Sequence, residues 1–135
     1  MRTALALALV LALPAASRAD DGANAYTIES TPGPLKVKKG AQAKAHVEIV
    51  PRKDAHVSPD APLSVALSSG AGLKLEKAKL LRADTRETKA RGVEFDVPFT
   101  ATGSDELKAS VSFFICTEKL CERQKRDVIL AVVAE

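Results

Sequence analysis

Residues Leu107–Val133, "LKASVSFFICTEKLCERQKRDVILAVV", hold two apolar-rich segments separated by a short polar one. In the first segment the apolar side chains recur at every second position: Leu107, Ala109, Val111 and Phe113. An alternation of this period is typical of a β-strand that buries one face. The segment that ends the stretch, "KRDVILAVV", is predicted as the last strand of the chain. "TEKL", between Cys116 and Cys121, is then the loop of an antiparallel hairpin.

The same pattern recurs along the rest of the chain, with turn residues between the segments. It is found in "LKVKKG" (35–40), "AKAHVEIVP" (43–51), "LSVALSS" (63–69), "LKLEKAKLL" (73–81) and "VEFDVPFTA" (93–101). The stretch 51–62, with three prolines, and the charge-rich stretch 82–92 are predicted as loops. About seven or eight short strands predict an all-β, immunoglobulin-like β-sandwich. We expect Phe95, Phe99 and Phe113 to supply much of its core.

The N-terminus has the pattern of a secretory signal peptide. Arg2 precedes an apolar run of ten residues, after which come Pro14 and small residues. That run is half of the roughly 20 residues that a membrane-spanning helix needs, so a cleaved signal peptide is favoured over an anchor. We predict cleavage after Ala19, with Ala16 as the alternative. Residues 20–33 are then a flexible lead-in with a short strand near Tyr26, and residues 34–135 form the β-sandwich domain.

The predicted export determines the expected compartment and limits the classes of partner. The protein is predicted to be periplasmic or secreted, where disulfides form and persist. The whole chain carries a formal charge of +3. Because Arg2 and Arg18 leave with the signal peptide, the remaining chain is close to neutral. Neither nucleic acid nor stable membrane insertion is therefore expected, and the sequence leaves the oligomeric state open.

Cys116 and Cys121 are the two cysteines of the chain. Facing residues of an antiparallel hairpin are about 4.5 to 5.5 Å apart, a separation that a disulfide tolerates. Spacing and compartment favour a structural disulfide. A loop of about six residues, however, contributes only about 2 kcal/mol, and a hairpin tip is accessible to an attacking thiolate. The residues alone leave both interpretations open.

The order of features resembles the N-terminal periplasmic domain of the DsbD family of thiol:disulfide interchange proteins. The resemblance extends from Leu35 to Val133 and rests on "AHVSPDAPLSVAL", "GLKLEKAKLL", "VEFDVPFTA" and "FFICTEKLCERQKRDVIL". It implies an immunoglobulin-like fold and a cysteine pair that exchanges electrons with a periplasmic thiol oxidoreductase. It also implies that Cys121 forms the mixed disulfide and that Cys116 is its resolving partner.

Two functions of different classes follow from these observations. In the first, the domain is a protein-disulfide reductase or electron-transfer domain that needs no bound cofactor, because the cysteines carry the electrons. In the second, it is a non-enzymatic periplasmic interaction module whose disulfide only closes the hairpin.

Other side chains give weaker signals. His46 lies on the polar face of its predicted strand and His56 in the proline-rich loop. A metal site with both histidines and both thiolates would need a convergence that the sequence does not indicate, so no metal is predicted. Asp84, Arg86, Glu87 and Lys89 are interpreted as a solvated connection. The chain has no Gly-x-Ser-x-Gly stretch and no phosphate-binding glycine loop, so neither a hydrolase of that type nor a nucleotide site is supported.

Overall fold

The computed structural model describes residues 22–135. The predicted signal peptide and both cleavage positions lie outside these residues. The strands are β1 (Tyr26–Ser30), β2 (Leu35–Val37), β3 (Gln42–Pro51), β4 (His56–Val57), β5 (Ser64–Ser69), β6 (Leu73–Leu75), β7 (Lys79–Leu81), β8 (Arg86–Glu87), β9 (Val93–Ala101), β10 (Asp105–Cys116) and β11 (Cys121–Ala134). A 3₁₀ turn occupies Arg82–Asp84. Within the described part of the chain, no helix is long and apolar enough to cross a membrane.

The strands form two sheets. The first sheet has the order β1-β3-β9-β6, and β8 also pairs with β9. The second has the order β2-β11-β10-β5-β7, and β4 also pairs with β10. The parallel pairing of β2 with β11 accompanies antiparallel pairings elsewhere in both sheets. This arrangement is the predicted immunoglobulin-like β-sandwich.

The core lies between the sheets and follows the alternation of the sequence. Side chains of β9 are buried at every second position, beginning at Val93 and ending at Ala101. Phe95 and Phe99 are fully buried, and Phe113 on β10 belongs to the same core cluster with 1% exposure. The prediction for the three phenylalanines is confirmed. Burying a side chain of this size contributes about 1.5 to 3 kcal/mol.

The prediction of a single strand over residues 73–81 is wrong. β6 pairs with β9 in the first sheet, whereas β7 pairs with β5 in the second. The reason is the spacing of Leu73 and Leu80, which are both buried. Residues seven apart point to opposite faces of one strand, so a continuous strand would turn one leucine away from the core. By crossing between the sheets, the chain buries both.

The polar segments also contain more regular structure than the pattern indicates. The short strand expected near Tyr26 is present as β1, which pairs with β3 over five residues, and Tyr26 itself is buried. The stretches predicted as loops contain the two-residue strands β4 and β8. Of these two strands, β4 pairs with β10 beside Cys116.

Candidate functional site

The cysteine pair closes the end of a long hairpin. β10 and β11 pair over twelve positions, of which the last joins Cys116 to Cys121. Beyond it, the backbone N–H of Thr117 donates to the carbonyl oxygen of Leu120 over 2.9 Å. Because hydrogen-bonded and non-hydrogen-bonded pairs alternate along such a ladder, the cysteines occupy a non-hydrogen-bonded pair, where facing side chains are closest. Their Cα atoms are 4.0 Å apart, and the two sulfurs form a disulfide.

The two cysteines differ in exposure. Cys116 is 4% exposed, whereas Cys121 is an exposed residue. The accessible side of the disulfide is therefore the side of Cys121. Attack at that sulfur makes Cys116 the leaving group, because exchange breaks the bond behind the sulfur that is attacked.

A third strand brings a histidine to the pair. β4 pairs with β10 on the side away from β11, with Val57 opposite Ile115 and His56 opposite Cys116. Directly opposite residues point to the same face of a sheet. His56, Cys116 and Cys121 therefore form a row across three strands.

The segment that carries His56 is held in place by backbone and side-chain hydrogen bonds. The N–H of Ser58 donates to the carbonyl oxygen of Phe114 over 2.8 Å, and that of Val57 donates to Arg91 over 3.0 Å. The guanidinium of Arg82 donates to the carbonyl oxygens of Ser58 and Ala61 over 2.8 and 2.6 Å. The proline-rich stretch is thus anchored to the hairpin and to the 3₁₀ turn.

Two open cavities flank the hairpin tip. One, of about 280 Å³, is lined by Arg52, Asp54, Thr117, Glu118 and Lys119. The other, of about 220 Å³, is lined by Lys53, Asp54, His56, Arg91, Thr117 and Glu118. Both linings mix cations with carboxylates. Beside them, the apolar side chain of Leu120 is 50% exposed, next to Cys121.

A second cluster of ionisable groups lies on the outer face of the first sheet. His46 Nδ1 is 2.9 Å from Asp96 Oδ1, and its Nε2 is 3.4 Å from Glu94 Oε2. Arg86 contacts the same two carboxylates, at 3.3 Å each. Hydrogen bonding to His46, more than the charge of Arg86, lowers the pKa of Asp96 below its ordinary value.

This cluster also holds donor atoms of the kinds that metal ions bind. One ligand atom each of His46, Glu48 and Glu94 lies within 4.8 Å of the others. In this cluster, however, Glu94 is already paired with Arg86, and His46 is already bonded to Asp96. The arrangement as it stands is therefore a network of ion pairs and hydrogen bonds. His46 and His56 belong to different sheets, so the two histidines do not converge on the cysteines.

The sequence matches no protein-family model and no curated protein. Among solved structures, the chain is similar to AggA, the major subunit of aggregative adherence fimbriae type I from Escherichia coli. The identity is 12% and the TM-score 0.46, over 82% of this chain and 94% of that one. It is also similar to E. coli alpha-2-macroglobulin, with 18% identity and a TM-score of 0.47 over 82% of this chain and 7% of that one.

A third similar structure is a chain of the complex between zinc 2-glycoprotein and prolactin inducible protein from human seminal plasma. The identity is 18% and the TM-score 0.45, over 78% of this chain and 92% of that one. At these identities the likenesses concern the fold alone.

The structure places the two cysteines together and brings a third side chain beside them that the sequence pattern does not indicate. Cys116 and Cys121 face each other at the hairpin end, as the spacing predicts. His56 is the missed neighbour, because it belongs to a two-residue strand sixty positions before Cys116. Two residues are too few to show an alternation, so no periodic signal marks this strand.

Proposed function

We propose that this domain is an exported thiol-disulfide exchange module that passes electrons to or from another thiol oxidoreductase through Cys116 and Cys121. The observation that carries the proposal is the unequal exposure of the pair. Cys121 is an exposed residue that a partner can approach, whereas Cys116 is buried and suited to be the resolving residue. A bond that only had to stabilise the fold would gain more from joining distant strands, because loop-closure entropy grows with loop length.

In the proposed exchange, the partner carries two thiols. A partner thiolate attacks Cys121 Sγ, a new disulfide forms between them, and the bond to Cys116 breaks with its electron pair on Cys116 Sγ. The partner's second thiolate then attacks the partner's own sulfur and releases Cys121 as a thiolate. The partner is oxidised to a disulfide, this domain is reduced to two thiols, and the protons exchange with water. Electron flow from the domain to a partner is the reverse sequence.

The resemblance to the N-terminal domain of the DsbD family supports the same roles for the two cysteines. The resemblance also supports a second thiol oxidoreductase as the partner, and the apolar N-terminal run supports a periplasmic or secreted location after removal of residues 1–19. Under this proposal the domain requires no metal and no organic cofactor.

The first test is the reduction potential of the pair. The purified domain is equilibrated with glutathione and then with dithiothreitol, and the fraction of oxidised protein is quantified by alkylation of free thiols. A potential above about −300 mV is expected for an exchangeable pair. A pair that remains oxidised below that value overturns the proposal.

The roles of the two sulfurs are tested with matched single variants. Cys116→Ser leaves the exposed Cys121 thiol, and Cys121→Ser leaves the buried Cys116 thiol. We expect the first variant to form a mixed disulfide with oxidised glutathione at least several-fold faster than the second. Equal rates, or the reverse order, would rule out the assignment of Cys121 as the sulfur that meets the partner.

The alternative function is an interaction module with a structural disulfide. The position of the cysteines favours this alternative. They occupy a non-hydrogen-bonded pair, whose short Cα separation accepts a disulfide, and Cys116 is buried. The potential measurement separates the two functions, since a structural disulfide has a potential below about −300 mV.

A further inference from the structure

The buried sulfur of the pair is the one that must carry negative charge. In the proposed exchange, Cys116 leaves as a thiolate, although the residue is only 4% exposed. Burial disfavours the charged form of a thiol and raises its pKa. A positive charge or a proton donor beside Cys116 would therefore lower the energetic cost of releasing this thiolate.

The register supplies a residue of this kind. His56 lies directly opposite Cys116, on the side away from Cys121. The Cβ atoms of directly opposite residues are about 4.5 to 5.5 Å apart, a distance that an imidazole bridges to reach a sulfur. The hydrogen bonds of Ser58 to β10 and of Val57 to the turn before β9 hold the segment in place.

We propose that His56 is a third functional residue of the hairpin site and that its protonated imidazole stabilises the Cys116 thiolate released by attack at Cys121. This inference rests on the proposed exchange function. It deepens that function by naming what makes the buried cysteine a competent leaving group. In the reverse direction, the same imidazole keeps Cys116 ionised for its attack on the mixed disulfide.

The other charges around His56 are of both signs. Lys53 and Asp54 reach the cavity from the turn after β3, Arg91 from the turn before β9, and Glu118 from the hairpin tip. On β11, Arg123 shares the face of Cys121, whereas Glu122 is opposite the buried Ile115 and points to the other face. Among these groups, an imidazole is the one whose ordinary pKa lies close to neutral pH. Stabilisation of a thiolate by a protonated imidazole is therefore expected to weaken as the pH rises through neutrality.

The test uses the Cys121→Ser background, in which Cys116 is the sole thiol of the chain. The ionisation of Cys116 is followed by thiolate absorbance in the ultraviolet as the pH is raised, with and without His56→Gln. We expect His56→Gln to lower the thiolate fraction of Cys116 about tenfold at pH values at which an imidazole is protonated, because that fraction depends on the positive charge beside the sulfur. His46→Gln, on the other sheet, is the matched control and is expected to leave the titration unchanged.

A kinetic readout accompanies the titration. In the disulfide form, His56→Gln is expected to slow reduction by dithiothreitol several-fold at neutral pH, after normalisation to the reductant's own thiolate. His56→Lys is expected to recover much of the rate but to lose the change with pH near neutrality, because its charge does not titrate there. If the titration and rates of His56→Gln match those of His46→Gln, the inference is overturned.

Two features keep the test decisive. The unsubstituted domain gives a second measurement that does not depend on the folding of a variant. Its normalised reduction rate must fall as the pH rises through the imidazole range, and a flat profile overturns the role of His56. The Cys116 titration also needs no partner, so a failure of the exchange function, seen as a potential below about −300 mV, is distinguishable from a failure of this inference.

Discussion

At the residue scale, one buried hydrogen bond links the first strand of one sheet to the last strand of the other. The hydroxyl of Tyr26 donates to Gln124 Oε1 over 3.0 Å, and both residues are buried. The Tyr26 ring also packs edge-on against Phe113, with 4.9 Å between ring centroids. The bond therefore ties β1 to the cysteine hairpin across the sandwich.

Removing this hydroxyl should destabilise the domain without changing its shape. We expect Tyr26→Phe to lower the free energy of unfolding by about 1 to 2 kcal/mol, because the buried acceptor of Gln124 loses its donor. Urea denaturation measures the change. In a double-mutant cycle with Gln124→Ala, the coupling must be clearly favourable. A coupling near zero would show that the two side chains act independently.

A second residue-scale prediction concerns Asp96, whose hydrogen bond to His46 lowers its pKa in the folded state. A carboxyl group with a lowered pKa stabilises the fold above its unfolded pKa, which is about 3.9, and this contribution is lost as the pH falls through the folded value. We expect Asp96→Asn to be less stable than the parent at pH 7, with a difference that shrinks below about pH 4. Urea denaturation at pH 7, 5 and 3 tests this.

The matched control for Asp96 is Asp54→Asn. Asp54 forms an exposed ion pair with Arg52, and such pairs contribute little. The control should therefore change stability less than Asp96→Asn at pH 7. Parallel pH profiles for Asp96→Asn and the parent would contradict the role given to the His46 contact.

At the scale of elements, a strand is easier to predict from the sequence when its alternation of buried and exposed residues is longer. β9 and β10 bury every second residue over nine positions, and β3 does so over seven, from Ala45 to Pro51, so the sequence alternation marks all three as strands. β4 and β8 have two residues each and carry no period. The segment 73–81 is predicted as one strand because its alternation looks continuous, although its two ends belong to different sheets. The cysteine pair is predictable because it is local, whereas His56 reaches Cys116 through a pairing that sequence spacing does not encode.

The turn before β9 gives an element-scale prediction. Gly92 lies where a Cβ atom would clash with the backbone carbonyl oxygen of Ile49 on β3. The turn has little freedom to move away, since the Gly92 N–H donates to Thr88 Oγ1 and its carbonyl oxygen accepts from the Thr88 N–H. We expect Gly92→Ala to cost about 1 to 3 kcal/mol, as overpacking does elsewhere.

Gly103→Ala is the control for this turn, because a Cβ atom there would have its nearest neighbour at 3.7 Å. Thermal denaturation of both variants gives the comparison, and Gly103→Ala should stay close to the parent. Similar losses for the two would mean that the close approach to Ile49 is not what requires glycine at position 92.

At the scale of the whole molecule, the core and the disulfide are separate sources of stability. The buried phenylalanines and aliphatic side chains fill the space between the sheets, while the disulfide closes one end of the β10–β11 hairpin. The hairpin is also held by its own ladder of twelve residue pairs. A thiol-disulfide exchange module must stay folded in both oxidation states. A fold stabilised by its core and by the β10–β11 ladder can do so without the disulfide.

The double variant Cys116→Ser/Cys121→Ser tests that separation. The chain-entropy estimate for a loop of about six residues predicts a loss of about 2 kcal/mol in the free energy of unfolding, with the strand content and core packing retained. Circular dichroism and urea denaturation provide the measurement, and the parent in dithiothreitol should match the variant in both. If reduction or the double substitution unfolded the domain, the disulfide would be a structural requirement. The protein could not then cycle between a dithiol and a disulfide, and the interaction-module function would be the one left to pursue.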